Sequence, residues 1–326
     1  MKKIAIICFD ELLLSSVAGF VDAFKIANQL WIKDHHRARP LFSWTLASLD
    51  GKEIVASSGV TMKVDGKLPG SADIIFIPAW HFDGVKRLTQ ESERIASWCG
   101  SWISKQHRKN AIVAAGCSGS FILANTGLLR NKTITTSWWL NEYFRSFHPD
   151  VKLDSSQLIL QDGRIFSAGP VNSHFNLAMK LIEKEAGHAL ALACAKTMLV
   201  DINRPSQVAY EIAPVQHKHS DEGVLLAQTW MSKNLQRSFD ISEAAKAARM
   251  SPRTFIRHFK KAVGIPPVQY LQHLRIDLAK RLLETSDLTF DEIVSRVGYL
   301  NASSFRTLFK LETSLTPADY RKRFSR

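Results

Sequence analysis

Between Asp240 and Phe324 the chain spells one helical pattern twice, and no other feature constrains its fold as strongly. Phe255, Phe259, Lys260, Pro267 and Tyr270 return as Phe305, Phe309, Lys310, Pro317 and Tyr320, each 50 positions later. Upstream the offset is one residue shorter, Asp240 and Glu243 answering to Thr289 and Glu292, so the second copy carries an extra residue in its turn. Self-similarity on this scale marks a supersecondary unit used more than once, here a helix, a turn and a second helix.

The punctuation inside each copy supports that reading. Asp240 with Glu243, and Thr289 with Glu292, have the spacing of a capping box. Ala244, Ala245 and Ala248 are small enough to let another helix approach closely, Ser251 suits an N-cap, and Pro252 suits the first helical position, where a missing N–H costs nothing. At about 100° per residue, Phe255, Phe259 and Ala262 share one side of the second helix, opposite Arg253, Arg257 and Lys260. In the second copy the same projection buries Phe305, Leu308 and Phe309 and exposes Ser303, Arg306, Thr307 and Lys310. Val268 to Leu283 reads as a long amphipathic helix able to fix the separation of the copies.

An apolar stripe and a polar, basic stripe on one helix suit insertion into the DNA major groove, where Arg reaches guanine edges and Lys holds phosphates. Pro252, Arg253, Thr254, Arg257, Lys260, Ala302, Ser303, Arg306, Thr307 and Lys310 are the candidate contacts. Any single Arg here is more readily a solvated surface residue than a base reader; the duplicated pattern carries the inference. Residues 223–326 resemble the AraC/XylS DNA-binding domain, through MSPRTFIRHFKKAVGIPP and IVSRVGYLNASSFRTLFKLETSLTPADYRKRF. The resemblance implies an all-α domain with two helix-turn-helix motifs and double-stranded DNA of a promoter or operator as its partner. Ser314 departs from the family, which usually has glycine before the x-T-P turn, so a strained last turn is expected.

Charge follows the same division. Of the formal net charge of +13, residues 223–326 hold +9, from 18 Lys and Arg against 9 Asp and Glu. A polyanion partner fits this asymmetry, although a basic domain alone would fit RNA or a membrane surface nearly as well. No apolar run approaches the ~20 residues of a membrane span, and a soluble, cytoplasmic protein is the expectation. Cys8, Cys99, Cys117 and Cys194 lie far apart without metal-ligand spacing, and His217 and His219 are isolated; neither a disulfide framework, a metal nor a cofactor is indicated.

The first two-thirds alternates strand and helix signals. Strands are expected at Lys3–Phe9, Leu41–Leu49, Asp73–Pro78 and Ala111–Ala115, and helices at Ser16–Asn28, Glu91–Gln106, Gly169–Gly187 and Ala189–Val200. Such alternation specifies an α/β domain: a mostly parallel sheet with helices on both faces, and ligands gathered beyond the carboxyl ends of the strands. In AIVAAGCSGSFILANTGLL, residues 111–129, a buried strand runs through Gly116-Cys117-Ser118-Gly119 directly into an apolar helix, the setting of a nucleophile elbow. A thiol at a helix amino terminus is favoured as thiolate; a small buried residue in a tight turn is the equally weighted alternative.

This region, roughly residues 3–200, resembles the PfpI-type, class I glutamine amidotransferase-like domain of GlxA-type regulators, which has a flavodoxin-like fold. The elbow around Cys117, the LANTGLL that follows, the TITTSWW run and the strand end Phe166-Ser-Ala-Gly169 carry it. Three catalytic parts are missing. Ser137 stands where related domains often have histidine, the acidic position of the first strand–helix loop corresponds to Ser16, and Pro78-Ala79-Trp80 replaces a Pro-Gly-Gly-like oxyanion loop. His81 or His174 are the remaining candidates for a base.

The resemblance therefore implies a degenerate sensor domain rather than an enzyme, with Ser16, Trp80, Cys117, Ser118, Ser137 and Trp138 as ligand-binding candidates. Trp80, Trp138 and Trp139 suggest an aromatic cage for an amine or quaternary ammonium effector. The expected division is a sensor at 1–202, a linker at 203–222 with the boundary near residue 215, and a DNA-binding domain at 223–326, in a homodimer. The competing readings are a Cys117-dependent hydrolase or amidase tethered to DNA, and a DNA-binding protein whose first domain only dimerises.

Overall fold

The computed structural model describes residues 1–35, 39–204, 206–211 and 219–325. The chain divides into two units, Met1–Gln207 and Val208–Arg326. The expected boundary near residue 215 lies outside the described residues.

In the first unit the apolar runs become strands that meet edge to edge. β1 (Lys2–Ile7), β2 (Phe42–Ala47), β5 (Ile74–Ile77), β6 (Ile112–Gly116) and β10 (Ile165–Ala168) pair in parallel, and β9 (Ile159–Asp162) adds an antiparallel edge, giving the order β2-β1-β5-β6-β10-β9. Strands covered on both faces read as continuous apolar runs, and β5 and β6 are buried throughout. The expected strands at residues 3–9, 41–49, 73–78 and 111–115 all lie on this sheet. Short two-residue strands form separate pairs: β3 (Ile54–Val55) with β4 (Thr61–Met62), and β7 (Thr133–Ile134) with β8 (Lys152–Leu153).

Two groups of helices cover the sheet. α1 (Leu14–Asp34), α5 (Ser173–Ala186) and α6 (His188–Thr197) pack together, as do α2 (Gly84–Arg108) and α3 (Gly119–Asn125), while α4 (Asn141–Phe147) follows a 3-10 turn at Trp138–Leu140. Phe20 of α1 stacks on Phe76 of β5 with ring centroids 3.9 Å apart, and Phe24 meets Phe42 of β2 edge-on at 4.8 Å. These rings fix the helix on the sheet. The described residues contain no helix long and apolar enough to cross a membrane.

The second unit is helical: α7 (Glu222–Lys233), α8 (Ile241–Ala247), α9 (Pro252–Val263), α10 (Pro267–Thr285), α11 (Phe290–Arg296), α12 (Ala302–Thr313) and α13 (Pro317–Phe324). Both expected capping boxes close, at Asp240/Glu243 and at Thr289/Glu292, and Ser251 caps α9 ahead of Pro252. There are two cores rather than one. Val224, Ala227, Met231, Ala244, Ala245, Phe255, Phe259 and Val263 form the first; Ile276, Ala279, Leu283, Ile293, Val294, Phe305, Phe309 and Tyr320 belong to the second. α10 serves both, with Tyr270 and Leu274 on the first and Ile276 to Leu283 on the second.

The duplication holds at the level of ring contacts. Phe259 meets Tyr270 at 5.2 Å and Phe309 meets Tyr320 at 5.4 Å, both edge-on. The inserted residue of the second copy is Leu300, which stands 91% exposed before the Asn301 cap. Two side chains depart from the projected stripes. Val263 rather than Ala262 completes the buried face of α9, and in α12 Thr313 is buried while Leu308 is only half-buried. A face drawn at 100° per residue drifts over three turns, and the third buried position falls where the neighbouring helix happens to lie.

Candidate functional site

On α9, Arg253, Arg257 and Lys260 are exposed, as are Ser303, Arg306, Thr307 and Lys310 on α12. Both sets have the i, i+4, i+7 spacing of one helix face. Among the described residues none of Arg253, Arg257 and Lys260 has an acidic partner, whereas Arg237, off this face, pairs with Glu243 at 2.8 Å. An unneutralised cationic stripe is available to phosphates and base edges. Pro252 is exposed at the start of α9; Thr254 and Ala302 are half-buried, and the Thr254 N–H donates to the Ser251 cap.

Sequence reasoning passed over two residues beside this surface. Ile256 lies on the same face as Arg253, Arg257 and Lys260 and is 46% exposed. Phe290, at the start of α11, carries the Arg306 guanidinium above its ring, 5.0 Å from the centroid. The i, i+3 spacing of Arg253 and Ile256 was readable from the sequence; the Phe290–Arg306 contact joins two helices and was not.

At the carboxyl edge of the sheet the elbow is present. Cys117 follows β6 with φ 49, the left-handed conformation of a strained turn, and its N–H donates to the Ala168 carbonyl. Gly119 is required there: a Cβ would stand 2.7 Å from the carbonyl oxygens of Ile77 and Pro78. Ser118 exchanges hydrogen bonds with the backbone of Trp80, both at 2.9 Å.

The elbow is closed by its own neighbours. Ser137 Oγ donates to Cys117 Sγ at 2.8 Å, and Thr136 Oγ1 donates to the Cys117 carbonyl at 3.0 Å. Gln207, 1% exposed, holds this turn from the far end of the unit: its amide donates to the Thr136 carbonyl and accepts from the Trp138 N–H. Burial pushes the Cys117 thiol up, against the smaller opposing effect of hydrogen bonding to Ser137 and Ser118. Of the two readings of this turn, the small buried residue is the one the geometry favours, because desolvation outweighs the hydrogen bonds that would stabilise a thiolate.

The candidate bases do not reach the thiol. His81 is exposed, and among the described residues no hydrogen bond joins it or His174 to Cys117. His174 is bonded through Nδ1 to the Val171 carbonyl at 2.6 Å, its Nε2 faces Gly19, and burial lowers its pKa. Ser16 turns its hydroxyl to the Leu13 carbonyl at 2.7 Å.

The three indoles fall into two sets. Trp80 is 3% exposed between Phe9 and Phe82, while Trp138 and Trp139 make an edge-on pair at 5.2 Å; among the described residues no ring contact connects the two sets. Trp80 is used by the core: it follows β5, and its indole lies against Phe9 beyond the end of β1 and against Phe82. No group of three His, Cys, Asp or Glu among the described residues could hold a metal ion. Of the two histidines set aside as metal ligands, His219 bonds Gln228 at 3.0 Å and His217 lies outside the described residues.

The comparisons with known proteins agree with this architecture. Residues 2–184 match the family model of the DJ-1/PfpI family, and residues 244–323 match that of a helix-turn-helix domain. The HTH-type transcriptional regulator GbdR of Pseudomonas aeruginosa is 24% identical over 324 residues, covering 98% of this chain and 84% of that protein. The HTH-type transcriptional regulator GlxA of Rhizobium meliloti is 23% identical over 326 residues, with 99% and 96% covered. Drosophila melanogaster DJ-1beta shares the fold of the first unit, with a TM-score of 0.50 at 18% identity over 61% of this chain and 98% of that one. The chain belongs to the DJ-1/PfpI family through its first unit and carries an AraC-type helix-turn-helix domain after it, the architecture of relatives named as transcriptional regulators.

Proposed function

We propose that the chain is a sequence-specific transcription regulator in which α9 and α12 enter DNA and a small metabolite, bound in the degenerate amidotransferase-like unit, sets the output. The observation that carries the DNA half is the repeated exposed face, Arg253, Arg257 and Lys260 on α9, without acidic partners among the described residues, with Ser303, Arg306, Thr307 and Lys310 on α12. α10, at 19 residues, is about 28 Å long and suits a spacer between motifs reading successive turns of one DNA face. Residues 1–202 serve as the sensor, 203–222 as the linker and 223–326 as the DNA reader. A homodimer formed through the first unit raises affinity by presenting several motifs at once.

Cys117 is not a nucleophile on this reading, because Ser137 occupies its sulfur and, among the described residues, no histidine is bonded to it. The effector instead competes for the turn that Ser137 and Trp138 share. Gln207 grips that turn and directly precedes the second unit, so a ligand that shifts the turn loosens the point where the chain leaves the sensor. With Trp80 buried against Phe9 and Phe82, a polar amine or amino acid is favoured over a caged quaternary ammonium ion.

One gel-shift series at fixed salt, on the full chain, tests both halves. Arg253→Ala or Arg257→Ala should cost about 1–3 kcal/mol at a specific site, while Lys260→Ala weakens all DNA evenly. Unchanged binding in all three sinks the groove assignment. A panel of amines, amino acids and betaines added to wild type should include one compound that moves the binding midpoint; indifference to the whole panel, with the DNA effects intact, leaves the first unit as a dimerisation platform.

A further inference from the structure

We propose that the two motifs read different base chemistry at one equivalent helix position: Ile256 packs on a thymine methyl group, and Arg306, oriented by the ring of Phe290, bonds the edge of a guanine. The inference rests on α9 and α12 as the groove helices and goes beyond it by assigning what each one recognises.

The internal repeat supplies the comparison. Arg253, Ile256, Arg257 and Lys260 correspond, 50 positions on, to Ser303, Arg306, Thr307 and Lys310. Ile256 is therefore the counterpart of Arg306. An exposed aliphatic residue on its own needs no explanation. Here, however, it stands at the centre of a face whose other members are cationic, while Phe255, Phe259 and Val263 supply the core side of the same helix. In the major groove the methyl group of thymine is the one apolar feature a base pair offers, and arginines on either side of Ile256 would straddle it.

The second copy changes two positions together. Where the first has Ile241 and Ile256, the second has Phe290 and Arg306. Phe290 stacks on Phe305 of the core, with ring centroids 6.1 Å apart and planes 24° from parallel, so its ring is fixed from below. The Arg306 guanidinium lies 5.0 Å from the centre of that ring. Stacking uses the face of the guanidinium and leaves its in-plane N–H groups free for the O6 and N7 acceptors of guanine. It also removes rotamer freedom before DNA arrives, which reduces the entropy lost on binding. Phe290 is thus a positioning residue, and Arg306 the one that touches DNA.

The test begins with duplexes enriched from a random pool by the full-length chain. In the half-site read by α9, each thymine is replaced in turn by deoxyuracil, which removes only the methyl group. One replacement should lower wild-type affinity about fourfold, as one methyl group returned to water predicts, and leave Ile256→Ala unaffected. In the other half-site, Arg306→Ala and Phe290→Leu should each reduce the preference for guanine at one position about tenfold while the first half-site is still read normally, the melting temperature should be unchanged in Arg306→Ala, and Phe290→Tyr should retain the preference. Equal affinity for thymine and deoxyuracil at every position, or a guanine preference that survives Arg306→Ala or Phe290→Leu, overturns the assignment. A pool in which no sequence is enriched removes the groove reading beneath it.

Discussion

Ser314 shows how far a single residue can be read from sequence. Gly264 ends α9 at φ 84, and its N–H donates to Lys260; Ser314 ends α12 at φ 59, and its N–H donates to Lys310, both bonds at 2.9 Å. The second copy thus keeps the left-handed cap without the residue that makes it inexpensive. Ser314→Gly should raise the stability of the second unit by about 1 kcal/mol, read from its denaturant midpoint; an unchanged or lower midpoint contradicts the strain. The departure was visible because the family resemblance sets a glycine at this turn. The opposite case escaped notice: Arg249 holds φ 56 where the second copy has Gly298. The elbow was equally legible as a strand, a turn and a glycine against a backbone. Its closure was not, because Cys117, Ser137, Trp80 and Gln207 come from four distant stretches, and no local pattern records which hydroxyl will face the sulfur.

Elements with strong local signals were readable and elements made by their neighbours were not. The capping boxes, the proline starts and the apolar strand runs each act within a few residues, so α8, α9, α11, β1, β5 and β6 follow from the sequence. The hairpin of β9 and β10 has a local mark, Asp162-Gly163, where the glycine takes φ 64 and opens a two-residue turn. β3, β4, β7 and β8, of two residues each, exist only by pairing. α10 holds a further consequence that no periodicity reveals. Its Asp277 is half-buried, and burial raises its pKa to about 6, partly offset by Lys280 and Arg281 and reinforced by Glu312. A carboxyl whose folded pKa exceeds its unfolded value of about 4 contributes fully below that value and loses its contribution as pH rises through the folded pKa. Glu211, which burial pushes up to about 7, loses its contribution in the same direction. The calorimetric transition of the second unit should therefore fall by at least about 5 °C between pH 5 and pH 7.5, Asp277→Asn should reduce the fall, and Asp277→Asn with Glu211→Gln should flatten it. A wild-type transition independent of pH over this range contradicts the burial argument.

At the scale of the molecule, an α/β unit precedes a basic helical unit that holds most of the net charge. That division was evident from charge and from the repeat, before any strand was paired. That the two copies are unequal was also legible in their stripes, Arg253, Arg257 and Lys260 against Ser303, Arg306 and Thr307; the seating of Arg306 on the Phe290 ring was not, because that contact joins two helices. The central claim is that α9 and α12 together read a defined DNA sequence. Its most direct test is to sequence the genomic fragments retained by the full-length chain at physiological salt. The account predicts enriched fragments sharing two short blocks of unlike sequence, centred about 10 base pairs apart. Retained fragments with no common sequence, bound with a steep salt dependence alone, would contradict it.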